Sequence, residues 1–191
     1  MNRVLPMSRM WSGPPQRSTG FTLVELMVTV AVLAIVAALA VPSFTTIMHR
    51  NRLTTAANEM VGALQGARME AIRRNRRAVL CPSTDGLACN GDDWTRLIVF
   101  VDADLDGAVD AGELVRDAQL SRAGTGITAS SANNRIWFGS DGRVSTGAAA
   151  TAAISVVSSK LPSTENGRFV EAAVSRISVC TTAGTSTTCQ R

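Results

Sequence analysis

Residues 21–41, FTLVELMVTVAVLAIVAALAV, form an almost unbroken apolar run in which Glu25 is the only charge. About 20 such residues in a helix cross the roughly 30 Å hydrocarbon core of a bilayer. Arg3, Arg9 and Arg17 precede the run, the asymmetry of a cytoplasmic leader ahead of an exported C-terminal part. An ordinary secretory leader ends in a small-residue cleavage site after its apolar run, whereas this run continues into Pro42 and more helical sequence. Pro42 lacks an N–H and clashes with the carbonyl four residues before it, which predicts a kink or short unwound stretch.

Helical periodicity then resumes. Leu53, Ala57, Met60, Leu64, Ala67 and Ala71 recur at spacings of four and three, with Arg52, Asn58, Gln65 and Arg76 on other faces. That pattern predicts an amphipathic helix with one buried stripe. It ends among Arg73, Arg74, Asn75, Arg76 and Arg77, where cations complement the negative end of the helix dipole. Beyond residue 77 short β-branched or aromatic stretches alternate with Gly, Ser, Asp and Asn. Strands are predicted near residues 78–81, 95–101, 114–120, 134–138, 152–158 and 169–180. The Ser-, Thr-, Gly- and Ala-rich residues 121–134 and 144–151 are predicted to be surface loops.

A chain of 191 residues has room for one folded domain beside a targeting segment. Its formal charge of +4 owes three units to the arginines ahead of the apolar run. Residues 50–80 hold seven arginines against Glu59 and Glu70, and residues 81–191 hold twelve acids against nine bases. A basic stem therefore meets a mildly acidic head. The cysteines form two close pairs, Cys81 with Cys89 and Cys180 with Cys189, all beyond the apolar run. This favours two local disulfides in an oxidising compartment. Crossed pairing or a metal site are the alternatives, although zinc usually takes cysteines two to four residues apart.

The segment GFTLVEL, Gly20 to Leu26, resembles the prepilin signal of type IV pilins and type II secretion pseudopilins. ARMEAIRRNRRAVLC at Ala67–Cys81 and IWFGSDGRVS at Ile136–Ser145 resemble segments of the H-type pseudopilin and T/U-type minor pilin group. The resemblance implies cleavage after Gly20 by a prepilin peptidase, N-methylation of Phe21, and packing of the helix among other pilins in a filament. Glu25 then takes the family's assembly position, where its carboxylate meets the terminal amine of an adjoining subunit. A carboxylate inside an apolar helix is costly unless paired, whereas a glutamate near the membrane interface is tolerated.

The implied fold is α+β, the type IV pilin fold, with a long N-terminal helix packed on an antiparallel sheet. The expected organisation is a cleaved leader over residues 1–20, a transmembrane and filament-core half-helix over 21–49, an amphipathic half-helix over 50–77, and a β-rich head over 78–191. The resemblance places the chain in the bacterial inner membrane as a single-pass protein with a periplasmic head. Ala31, Ala34, Ala37 and Ala38 would let helices approach closely in a filament core.

Asp102, Asp104, Asp106, Gly107, Asp110 and Glu113 occupy positions 1, 3, 5, 6, 9 and 12 of a calcium-binding EF loop, with the Ala108 carbonyl at position 7. Residues 97–101 and 114–120 on either side read as strands, whereas an EF-hand has helices there. The alternative is an acidic, solvated hairpin connection without metal. DNA is a second candidate ligand, because some T-type minor pilins are DNA receptors in natural transformation that use a Gly-Arg-x-Arg pattern near the C-terminus. Ser175, Arg176, Ile177 and Ser178 stand at the corresponding place, so only Arg176 matches. Arg168, Arg176 and Arg191 are the candidate phosphate contacts, against an alternative of scattered, solvated arginines. Each contact would steepen the salt dependence of log K by about 0.9. Catalysis is not expected: His49 is the only histidine, there is no tyrosine, and no base exists for a serine or cysteine triad. No cofactor is required by this reading.

Overall fold

The computed structural model describes residues 20–120, 126–147, 149–174, 176–183 and 186–189, and gives the backbone alone at residues 39–42, 182–183 and 186–189. Arg3, Arg9 and Arg17 of the expected leader, and Arg191, lie outside the described residues. The chain divides into two compact units, Met1–Pro42 and Ser43–Arg191. Helix α1 runs over Leu23–Arg74 and passes through Pro42, the last residue of the first unit. Among the described residues no single helix is long and apolar enough to cross a membrane. The stretches Leu23–Ala38 and Ser43–Arg74 meet that test only together.

In the second unit the predicted stripe is the buried face of α1. Leu53, Ala57, Met60, Leu64, Ala67 and Ala71 are all fully buried, joined by Ala56 and Ala63. The helix stops by a mechanism that involves more than its arginines. Asn75 adopts the left-handed conformation (φ 49°), its N–H donates to the Ile72 carbonyl at 3.2 Å, and the Arg76 N–H donates to the Ala71 carbonyl at 3.1 Å. These two bonds form a Schellman cap that satisfies carbonyls the helix would otherwise leave open. Glu70 accepts from Arg73 and Arg74 on the same last turns.

Among the described residues ten strands follow: β1 (Arg77–Pro82), β2 (Arg96–Asp102), β3 (Leu114–Gln119), β4 (Ile127–Ser131), β5 (Ile136–Phe138), β6 (Val144–Ser145), β7 (Ala152–Ser158), β8 (Gly167–Ala172), β9 (Ile177–Ala183) and β10 (Ser186–Cys189). They make two five-stranded sheets, in orders β3-β2-β1-β5-β6 and β10-β9-β8-β7-β4. Every pairing is antiparallel. One core joins the α1 stripe to both sheets through residues such as Leu80, Val99, Ile136, Ile154 and Val170. A smaller cluster of Val79, Cys81, Ile98 and Phe100 lies on the opposite face of β1 and β2, with Val109 and Trp137 packed against it. Burial on both faces explains why β1 and β2 read as continuous apolar runs rather than alternating ones.

The structure corrects three expectations. The strand predicted over residues 169–180 is a hairpin, β8 and β9, joined at Ala173–Arg176 by an N–H to carbonyl bond of 2.8 Å. Residues 127–131, predicted as loop, form β4, because Ile127 and Ala129 point inward while Thr128 and Ser130 face solvent. Two inward residues, one of them only alanine, among serines and threonines are too weak an alternation to stand out in sequence. Val144–Ser145 likewise pairs as β6 inside a predicted loop.

Cys81 and Cys89 are disulfide-bonded, with Cα atoms 5.4 Å apart. Cys180 stands directly opposite Cys189 in the β9–β10 register; the side chain of Cys189, and with it the second expected pairing, lies outside the described residues.

Candidate functional site

The first candidate is the N-terminal segment. Thr22 sits just ahead of α1, and its Oγ1 accepts the Glu25 N–H at 3.2 Å. Thr22 and Glu25 are thus the first and fourth residues of a T-x-x-E capping sequence, which starts the helix and places Glu25 in its first turn, where the dipole favours an anion. The capping role of Thr22 was legible in that spacing and was missed in the sequence reading. The Thr29 hydroxyl donates to the Leu26 carbonyl at 2.9 Å, so this polar group is satisfied within the helix. From Gly20 to Ala38 every residue is exposed, including Phe21 at 78% and Leu33 at 67%. A helix that is apolar all round must be covered by lipid or by other helices.

The second is the connection between β2 and β3. The register pairs Phe100 with Leu114, and the Val101 N–H donates to the Glu113 carbonyl at 3.0 Å. The first and twelfth positions of the acidic loop are therefore brought side by side. Asp102 is wholly buried. Its Oδ2 accepts from the Arg77 guanidinium and from the Gly107 N–H at 3.1 Å, and its Oδ1 is buried without a hydrogen-bond partner. One carboxylate oxygen from each of Asp102, Asp104 and Asp106 lies within 4.8 Å of the other two. Asp110 and Glu113 do not join this group. The Glu113 carboxylate accepts the Ala103 N–H at 2.8 Å and the Asp110 N–H at 3.2 Å. The Asp110 carboxyl is pushed above its ordinary pKa, first by Asp106 and Asp104 and then by burial.

Gly107 has φ +77°, and a Cβ there would come within 2.6 Å of the Arg135 guanidinium. The positive φ is what favours glycine, since the Arg135 guanidinium is the far end of a flexible side chain and can move aside. Arg77 also lies over the Trp137 ring, 5.6 Å from its centroid. Neither Arg77 nor Trp137 was picked out in sequence as part of this site, because both are contributed by other strands.

The third is the set of arginines considered for DNA. Arg176 stands in the β8–β9 turn opposite Ala173, whereas Arg168 pairs with Thr181 near the other end of the hairpin. Five residues of strand separate Ala173 from Arg168, roughly 16 Å at about 3.3 Å per residue. The Arg168 guanidinium bonds the adjacent Gly167 carbonyl at 2.9 Å. The fold thus sets these two cations apart rather than in one cluster.

A helix that is exposed and apolar in its first stretch and packed on antiparallel sheets in its later part is the architecture of the type IV pilin fold. The chain matches the family described as type II transport protein GspH over residues 56–183. The prokaryotic N-terminal methylation motif matches residues 15–41. The protein belongs to the GspH family of minor pilins and pseudopilins. It is 30% identical over 129 residues to a fimbrial protein of Pseudomonas aeruginosa, spanning 62% of this chain and 82% of that one. The crystal structure of the type IV minor pilin FimU from P. aeruginosa strain PAO1 matches with a TM-score of 0.52 at 24% identity. The match covers 69% of this chain and 90% of that one. At that identity the likeness is one of fold.

Proposed function

We propose that this chain is a minor pilin or pseudopilin that helps prime or cap a filament, in a type IV pilus or a type II secretion pseudopilus. The observation that carries the reading is the segment from Gly20 to Ala38, helical from Leu23 onward, exposed at every residue and bearing one acidic residue. Lipid covers such a surface before assembly, and neighbouring pilin helices cover it afterwards. In this reading the prepilin peptidase cleaves after Gly20, Phe21 becomes the methylated N-terminus, and the head is held on the periplasmic side of the inner membrane. Glu25 supplies the anion that a neighbouring subunit's terminal amine neutralises, so the pairing fixes the axial register as each subunit enters. The chain acts as a structural subunit and is itself the substrate of the peptidase. DNA capture by the head has less support, since Arg168 and Arg176 stand apart on their hairpin.

The test is Glu25→Ala in cells producing the filament. Cleavage of the leader should continue, while recovery of the subunit in the sheared filament fraction should fall at least about tenfold, corresponding to loss of roughly 1.4 kcal/mol or more per incorporation. Incorporation at the level of the unmodified chain would sink the assigned role of Glu25. Duplex DNA bound by the full chain in detergent, and released on neutralising Arg176, would instead favour the receptor reading.

A further inference from the structure

We propose that the β2–β3 connection is a calcium site, with Asp102, Asp104 and Asp106 as its first ligands. This goes beyond the filament role and stands whether or not Glu25 governs assembly. The sequence spacing is one line of support, and the second is independent of it. Asp102 is 0% exposed, and its Oδ2 already serves two donors, which leaves Oδ1 buried with no hydrogen-bond partner. A buried carboxylate oxygen in that condition carries an unrecovered desolvation cost, and a hard cation is the partner its chemistry suits.

The geometry agrees with the size of the ion. Calcium binds oxygen at about 2.3–2.6 Å, so two ligands on opposite sides of one ion are about 5 Å apart. The three aspartate oxygens, all within 4.8 Å of one another, are close enough to share one such ion after a small inward adjustment. Magnesium requires a tighter octahedron at about 2.0–2.1 Å and keeps several waters, so it takes dedicated all-protein sites less readily than calcium does. The Ala108 carbonyl and water can fill further positions. Glu113 would have to release the Ala103 and Asp110 amides that it now accepts.

Strands rather than helices flank this loop, so binding would fix the hairpin tip without the opening of a helix pair that follows calcium in sensor EF-hands. Arg77 and Arg135 bring positive charge to Asp102 and Gly107 and weaken attraction for the ion. The expected affinity is that of extracellular calcium modules, a Kd of about 10⁻⁴ to 10⁻³ M.

Trp137 borders the same cleft as Leu105, Asp106 and Gly107, which supplies a probe. Terbium added to the full chain in detergent should emit when tryptophan is excited. Calcium at roughly millimolar concentration should displace it, and an equal concentration of magnesium should not. Asp104→Asn combined with Asp106→Asn, at two exposed positions whose exchange spares the Arg77–Asp102 pair, should abolish the saturable emission. The proposal is overturned if no sensitised emission is seen, if magnesium displaces terbium as well as calcium does, or if emission persists in the double variant. A melting temperature of the unmodified chain that is the same in calcium and in chelator overturns it independently, since a ligand specific to the native state must raise stability.

Discussion

Replacing Arg77 with methionine tests how the head tolerates a wholly buried carboxylate. Arg77 is one of two donors to Asp102 Oδ2, the other being the Gly107 N–H. In chelator, the variant leaves a 0% exposed anion with one hydrogen bond. Breaking a buried pair by removing one partner costs about 3–5 kcal/mol. The Arg77 side chain is 25% exposed, so water can reach the vacated space, and the lower end, about 3 kcal/mol, is expected. Methionine keeps most of the aliphatic stem, so lost packing contributes little. The companion change Asp102→Leu removes the stranded charge, and the double variant Arg77→Met/Asp102→Leu should recover most of the loss. Equilibrium urea unfolding of the full chain in detergent, followed by fluorescence of the buried Trp94, gives the four corners of the cycle. A coupling of at least about 2 kcal/mol is expected. A single-variant cost under about 1 kcal/mol, or losses that simply add in the double variant, would refute the reasoning.

Two further outcomes follow from the head alone. Asn75→Val should lower stability by about 1–2 kcal/mol, because a β-branched residue is forced to positive φ, while Asn75→Gly should be neutral or better; equal stabilities in urea would show that the Schellman cap is not what ends α1. Asp85 accepts from the Leu87 and Ala88 backbone N–H groups, from the Asn90 side-chain amide and from the Ser83 hydroxyl. The Leu87 N–H bond foremost holds its carboxyl down to about 2. A carboxyl whose pKa is lowered on folding adds stability above its ordinary value near 4, and that stability is lost as pH falls towards 2. The gap in melting temperature between the unmodified chain and Asp85→Asn should therefore close between about pH 4 and pH 2. A gap that is constant with pH would contradict the assignment.

Much of the design was legible because it is local. The apolar run with its single Glu25, the stripe from Leu53 to Ala71, and the long apolar strands β1, β2 and β7 each declare themselves through a repeat of 3.6 or 2 residues, or through continuous apolarity. The motif at Gly20–Leu26 carried the family, because its residues are exposed and are not chosen by packing in this chain's own core. What escaped was decided between distant segments. Strand β4 has only Ile127 and Ala129 to mark it and exists because β7 offers a pairing edge. The division of residues 169–180 into β8 and β9 rests on a turn with no glycine or proline to announce it.

The acidic loop shows the division most clearly. Spacing alone put five carboxylates and a glycine at the positions of a calcium loop. The pairing of β2 with β3 then brought its ends together, and burial against Arg77 made Asp102 the constrained member of the set. Sequence determined which groups could act, because composition and period are properties of the chain. Tertiary structure determined which of them meet and which lose their water, because burial and long-range charge pairing exist only once the sheets have formed.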